Sequence, residues 1–490
     1  MSSTHLPDLY HNSLTLLTDL YQLTMAYAYW KCGIADKVSA FHLFFRNKPF
    51  KGDYAIAAGL QMAIDFIENF RFDQTDLDYL STLKAGDGSE LFEKAFLDYL
   101  SEFSFDLDID AVEEGTAVFP HEPLLRVTGP ILQAQLLESP LLNIINFQTL
   151  IATKASRVCR AAAPDEVIEF GLRRAQGVDG ALSASRAAFI GGCRSTSNVL
   201  AGKYYGIPIK GTHAHSWVMA FEKEERAFQA YAEAMPSNTV FLIDTYDSIE
   251  GAKKAIEVAK QLQKQKDFHM LGVRLDSGDL AQLSIQIRKM LDENGLKEAK
   301  IMASSELDEY LIRDLKQQGT KVTIWGVGTH LVTGKGQPAL GGVYKLSGIQ
   351  NEKGQWEYKL KISEQMIKVT NPGIMQIRRF RKEGQYVGDM IFDDQYGPGE
   401  AFVDPVDPVR HKKKEKEWEQ EDLLVPIFRK GKKIYQSPSL QQMQEKAKKE
   451  LKSFPPGVLR FLYPSPYFVG LEKKLFEKKL SLIEEYEKKS

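Results

Sequence analysis

The 490-residue sequence predicts an α/β protein. Its centre is a (β/α) barrel, complete or short of strands, with an N-terminal α+β domain that later strands complete and a helical C-terminal extension. Three observations carry this expectation. From about residue 167 to 328, short apolar runs alternate with helix-length amphipathic stretches, the local signature of parallel strands joined by helical crossovers. The first third mixes strand and helix patterns without that regularity. From about residue 403 the composition shifts toward Lys and Glu.

In chain order, LTLLTDLYQLTMAYAYW (14–30) reads as a helix capped by Thr18, with Leu20, Leu23, Tyr27 and Trp30 on one stripe. VSAFHLFFRNKP (38–49) is dense in aromatic and β-branched residues and reads as a strand ending at Pro49. Residues 61–103 are helical, broken at AGDGS (85–89), and AVFPHEPLLRVTGP (117–130) gives two short strands around a turn at Pro120 to Pro123.

The regular section starts with VIEF (167–170) and a helix running to about Tyr205, then IPIKG (207–211) and the helix SWVMAFEKEERAFQAYAEA. TVFLID (239–244) precedes SIEGAKKAIEVAKQLQKQ, MLGVRLD (270–276) precedes DLAQLSIQIRKMLDENG, KIMASS (300–305) precedes LDEYLIRDLKQQG, and KVTIWGVG (321–328) follows. An open doubly wound sheet shares this pattern. The barrel is favoured because no switch in connection length marks a reversal of strand order. GVYKLSGI and GQWEYKLKIS, joined by a turn at Asn351 to Gly354, are expected to complete the N-terminal sheet. DPVDPVRHKKKEKEWEQED reads as a charged linker before Lys/Glu-rich helix. The expected domains are 1–135 (completed by about 342–402), 136–341 with the active site, and 403–490.

Apolar and charged fractions of 43% and 26% are those of a globular protein, and a net charge of -2 offers no broad field for nucleic acid or an anionic membrane. Cys32, Cys159 and Cys193 form no CxxC pair, which argues for a reducing compartment and against a disulfide framework or zinc site. MSSTHLPDLYHNSL lacks a positive region followed by an apolar one, and no stretch of about 18 apolar residues appears. A cytoplasmic location is the expectation.

Polar residues unusual for a core recur just past the C-terminal end of each predicted strand. They are Arg173 and Arg174; Thr212, His213 and His215; Asp244 and Thr245; Arg274, Asp276 and Ser277; Ser304, Ser305 and Glu306; and Gly326, Gly328 and Thr329. In a parallel α/β domain these ends meet at one mouth. GVG before Thr329, and SGD (277–279) opening a helix, offer backbone N–H groups suited to phosphate oxygens. Asp244 and Asp276 suit ribose hydroxyls or Mg²⁺, which prefers oxygen ligands and retains water. Asp247 and Asp279 are better read as helix caps. No protein metal site is assigned beyond a possible role for Asp244 near Mg²⁺. His215 stands at a helix start that Ser216 is expected to cap, where the positive helix end favours a phosphate.

These segments resemble nicotinate phosphoribosyltransferases from about residue 14 to 346. The resemblance rests on LLTDLYQLTMAYAYW, EFGLRRAQGVDGALSASRAA, STSNVLAGKYYGIPIKGTHAHSWVMAF, LIDTYDS, GVRLDSGDL and GVGTHLVT with GGVYKL. It implies synthesis of nicotinate mononucleotide and pyrophosphate from nicotinate and phosphoribosyl pyrophosphate. It also implies ATP as co-substrate, Mg²⁺ as cofactor, and a phosphohistidine at His215, since His213 stands where the family varies. Nicotinate is expected between Phe170 and Tyr21, the tyrosine coming from the second subunit of a homodimer. Arg274 with Thr212 would take its carboxylate. Asp276 would hold the ribose, and Arg173, Asp244, Ser277, Gly326, Gly328 and Thr329 the phosphoribosyl pyrophosphate; His215, Asp276 and Arg274 form the catalytic set. FIGGCRSTSNVL (189–200) holds no acid and gains charge from Arg194, which favours the carboxylate over the amide. Nicotinamide or quinolinate as substrate, and a catalytically lapsed ligand sensor, are the rival readings.

Overall fold

A computed structural model describes residues 14–263, 268–363 and 369–488, and they form two compact units. One is drawn from Met1–Thr149, Leu340–Ser439 and Lys448–Ser490, the other from Leu150–Ala339 and Leu440–Ala447. The N-terminal stretch searched for a leader and the end of the helix expected at 248–265 fall on residues outside the described ones.

The first unit contains a seven-stranded antiparallel sheet with Val38–Phe45 between Gly342–Gln350 and Leu125–Pro130. The returning strand after Gly341 thus lies directly beside the aromatic N-terminal one. VSAFHLFF shows no alternation because nearly every position is buried. The first described helix is Leu20–Lys31; Asp19, not Thr18, stands at its cap, and its carboxylate accepts from the Ser139 hydroxyl at 2.6 Å rather than from the helix N–H groups. Leu23 and Ala26 pack with Leu77, Leu80, Phe96 and Leu100 from the next helices into one core. Asp108–Val112, which pairs with Leu125–Pro130, was missed although FDLDIDAV alternates as an amphipathic strand does.

The reading of 403–490 as a linker and mainly helical extension is corrected. His411–Lys413, Glu419–Asp422, Leu424–Arg429 and Val469–Glu472 are strands, and helices occupy Leu440–Ser453 and Lys473–Glu487. The reason is electrostatic. Glu419–Asp422 pairs antiparallel with Met375–Lys382, placing Asp422 on Arg378 at 2.7 Å and Glu419 on Arg381. A charge-rich segment that looks solvated is here one side of a cross-strand ion-pair ladder.

The second unit holds a six-stranded parallel sheet in the order Ser195–Thr196, Glu166–Glu169, Ile324–Val327, Lys300–Ser305, Met270–Leu275, Thr239–Leu242. The first long strand pairs with the last, as in a barrel. IPIKG contributes only an isolated bridge, Ile209 to Thr196. Among the described residues no ladder joins Ile209 to the Thr239 strand, so the complete barrel is replaced by a parallel half-barrel sheet with an open seam. The helix expected to run to Tyr205 is two helices, Gly177–Ile190 and Val199–Tyr205, with the Ser195 strand between them. Likewise His215–Met219 and Glu224–Ala234 replace one long helix.

Candidate active site

The C-terminal strand ends line a cleft of about 510 Å³. Phe170, Arg173, Thr212, Arg274, Asp276, Gly326, Gly328 and Thr329, all singled out from the sequence, line it together. Ser197, Ser304 and Glu306 line it too.

Phe170 follows the Glu166 strand, its N–H donating to the Val327 carbonyl at 2.9 Å. Its ring lies against the neighbouring strand at Gly326, where a Cβ would stand 2.7 Å from the ring. Glycine is therefore required there to seat the aromatic, a role distinct from the phosphate contact expected of it. Behind the ring, buried Glu169 accepts from the Gly171 N–H, from the Ser185 hydroxyl at 2.9 Å and from the Thr196 hydroxyl at 2.6 Å. Asn198 continues the network, donating to the Ser185 hydroxyl and capping the Val199 helix through the Ala201 N–H. The sequence reading missed Glu169. Its only signal was an acid in a strand whose neighbours on the next segments are hydroxyls.

Arg274 donates from Nη1 to the Thr212 hydroxyl, while its Nε is buried with no hydrogen-bond partner among the described residues. Burial pulls the pKa of this guanidinium down, and Asp276 and Asp244 pull it back up. An unpartnered buried donor on a cation costs on the order of 1–3 kcal/mol, which a bound anion would recover.

Asp276 accepts from the Ser304 hydroxyl, and its backbone N–H donates to Asp244 Oδ2 at 2.8 Å. The Ser277 hydroxyl donates to the same oxygen at 2.7 Å, so Ser277 is turned to Asp244 and does not line the cleft. Asp244 Oδ1 is buried without a partner among the described residues. Asp247 and Asp279 cap helices, accepting from the Glu250 and Gln282 N–H groups. His215 joins the cleft residues through Asp276, with Nε2 3.8 Å from Oδ2, and its Nδ1 is 3.1 Å from the Thr245 hydroxyl. Its helix starts at His215 itself behind Ala214, so Ser216 is not the cap, and five residues give a weak dipole. His330 Nε2 lies 2.7 Å from Glu306, tying one rim acid to the helix after GVG. Arg194 is exposed and is not among the lining residues. Tyr21 belongs to the other unit, where it is 47% exposed on the Leu20 helix beside exposed Leu20 and Met25.

Three family models cover the chain in sequence: the nicotinate phosphoribosyltransferase N-terminal domain over residues 16–146, the family proper over 166–356 and the C-terminal domain over 376–479. The chain belongs to the nicotinate phosphoribosyltransferase family. It is 42% identical to the nicotinate phosphoribosyltransferase of Bacillus subtilis, over 97% of this chain and 96% of that one. With the human protein of that name it shares 33% identity, covering 94% and 95% of the two chains. The crystal structure of human nicotinic acid phosphoribosyltransferase superposes with a TM-score of 0.83 at 32% identity, over 95% of this chain and all of that one. In this nicotinate phosphoribosyltransferase-family enzyme the residues that line the cleft belong to the unit with the parallel sheet, whereas the Leu20 helix and the Gly342 strand belong to the other unit. The C-terminal family domain includes the strands that sequence composition had disguised as linker.

Proposed function

We propose that this enzyme forms nicotinate mononucleotide and pyrophosphate from nicotinate and phosphoribosyl pyrophosphate in NAD biosynthesis, and couples ATP hydrolysis to that synthesis through a phosphohistidine at His215. The observation carrying the reading is Arg274: a half-buried guanidinium whose buried Nε has no partner among the described residues, held by Thr212 in a cleft that Phe170 also lines. A planar aromatic carboxylate satisfies both features at once. A charge-assisted bond contributes about 1.5–3 kcal/mol and ring packing about 0.5–1.5 kcal/mol beyond burial.

In the proposed reaction the pyridine nitrogen lone pair attacks the ribose anomeric carbon as its bond to pyrophosphate breaks. Positive charge develops on the sugar. Asp276, held by Ser304 and by its own N–H on Asp244, is oriented for the ribose. Arg173, exposed at the rim, and the Gly326 to Thr329 turn take the phosphates, so catalysis rests on positioning and on stabilising the leaving charge.

The donor set suits Mg²⁺. Among the described residues Asp244 Oδ1 lacks a partner, and there is no cluster of three or more potential metal-ligating side chains. Asp244 and Asp276 would hold the ion, with substrate phosphates and water completing its shell. When bound, it would neutralise charge on the departing pyrophosphate.

Thr245 on Nδ1 leaves His215 Nε2 directed toward Asp276, placed to accept a phosphoryl group from ATP. The apolar exposure around Tyr21 supports a homodimer in which that tyrosine completes the partner's nicotinate slot. The test is turnover of nicotinate with and without ATP, in the wild type and in His215→Ala. Loss of ATP hydrolysis and of ATP stimulation, with slow ATP-independent synthesis remaining, is expected. Stimulation unchanged in the variant overturns the phosphohistidine, and preference for nicotinamide overturns the substrate.

A further inference from the structure

The seam in the parallel sheet is bridged by a side chain. The Thr239–Leu242 strand ends the hydrogen-bonded order, yet the buried Leu242 N–H on its open side is not left without an acceptor: it donates to His213 Nε2 at 3.2 Å. His213 is 7% exposed, with its ring edge-on to Tyr231 at 4.7 Å and near Phe228 at 6.3 Å. Its Nδ1 faces the Ala214 carbonyl at 3.4 Å, so the proton belongs on Nδ1 and the lone pair on Nε2. Burial, with Arg274 and His215 nearby, lowers its pKa to about 4, which keeps the ring neutral at ordinary pH.

The loop this ring anchors carries two working residues. Thr212, one position before, donates its hydroxyl to the His213 carbonyl at 3.2 Å and receives Arg274 Nη1. His215, two positions after, meets Thr245 and Asp276. A strand pair would normally fix such a loop; here the Ile209 bridge and Lys210 on Glu166 at 2.6 Å tie it on the Thr196 side, and the imidazole ties it to the backbone of the Thr239 strand across the seam.

We propose that His213 is a positioning residue: its neutral ring, protonated on Nδ1, substitutes for the missing strand pairing across the seam by accepting the Leu242 N–H, and so sets Thr212 against Arg274 and His215 against Asp276. This rests on the reaction proposed above. The ring does not carry phosphate, because its Nε2 lone pair is engaged.

The test uses the full chain as wild type, His213→Gln and His213→Leu. Gln places Oε1 where Nε2 was, whereas Leu fills the space without an acceptor. His213→Gln is expected to keep kcat within about 3-fold of wild type, while His213→Leu loses roughly 10-fold or more in kcat and in kcat/KM for nicotinate. In [¹⁵N]histidine-labelled wild type, the signals absent from His213→Gln should show a protonated Nδ1 and an unprotonated Nε2. Full activity in a folded His213→Leu, a protonated Nε2, or acid-labile phosphate on His213 overturns the proposal. If His213→Leu fails to fold, the spectrum and His213→Gln decide. A wild type that does not turn over nicotinate sinks the reaction assigned above instead, and the spectrum still tests the bridge.

Discussion

His215 Nδ1 lies 3.1 Å from the Thr245 hydroxyl, a contact between residues at the ends of two segments that face each other across the open side of the sheet. The hydroxyl fixes the rotation of the ring and thereby the direction of Nε2. Thr245→Val keeps the shape and removes the bond, whose typical net value of about 0.5–1.5 kcal/mol corresponds to roughly 2–10-fold. ATP hydrolysis should slow by that factor, measured as nicotinate-stimulated release of inorganic phosphate, while ATP-independent synthesis changes less.

Arg274→Gln removes the cation but can still hydrogen-bond. Weakening of nicotinate binding by about 10–100-fold is expected from the loss of a charge-assisted bond. Nicotinamide, having no carboxylate, should lose far less. Calorimetric titration of both ligands into wild type and variant checks this.

Gly326→Ala brings a Cβ to 2.7 Å from the Phe170 ring, closer than real contacts allow, so the ring must leave its seat. KM for nicotinate should rise several-fold with little change in the apparent affinity for phosphoribosyl pyrophosphate. Gly328→Ala, whose Cβ would meet only the Phe170 carbonyl at 3.2 Å, should be milder.

Stability should fall on mild acidification through buried neutral histidines. His42 accepts the Met375 N–H at Nε2, 3.1 Å away, and burial with Arg126 nearby lowers its pKa to about 3. The unfolded chain binds a proton near pH 6.5 and the folded chain does not until about pH 3, so this contribution is complete above pH 6.5 and shrinks as pH falls toward 3. At pH 5 the loss is on the order of 2 kcal/mol for this one group. Denaturant unfolding at pH 7 and pH 5 should show it, and His42→Gln should flatten the difference.

The cleft was legible because one rule, that parallel strands present their C-terminal ends together, needs only strand positions that are accurate to a residue or two. Arg173, Arg274, Asp276 and Gly328 could therefore be gathered without any knowledge of their contacts, whereas Phe170 was reached only through the family resemblance. What was not legible was which neighbour each residue serves. Ser277 serves Asp244 Oδ2, Gly326 makes room for a ring, and Glu169 acts through hydroxyls contributed by Ser185 and Thr196. Those pairings depend on register and on the short Ser195 strand, which is too brief for any periodicity to announce. The C-terminal strands were lost for another reason. Glu419 and Asp422 read as solvated charge until their arginine partners stand opposite them.

The pairing of the Glu166 strand with the Ile324 strand has a consequence for synthesis of the protein. During translation the earlier strand emerges long before its neighbour exists, and its Val167 and Ile168 must wait through every intervening crossover for that edge to be covered. Phe170 and its Gly326 seat lie on these two strands. The ribosome therefore finishes almost the whole half-barrel before there is anywhere for the aromatic ring to dock, and a nascent chain halted short of Gly326 has an unpaired apolar edge and no seat for Phe170.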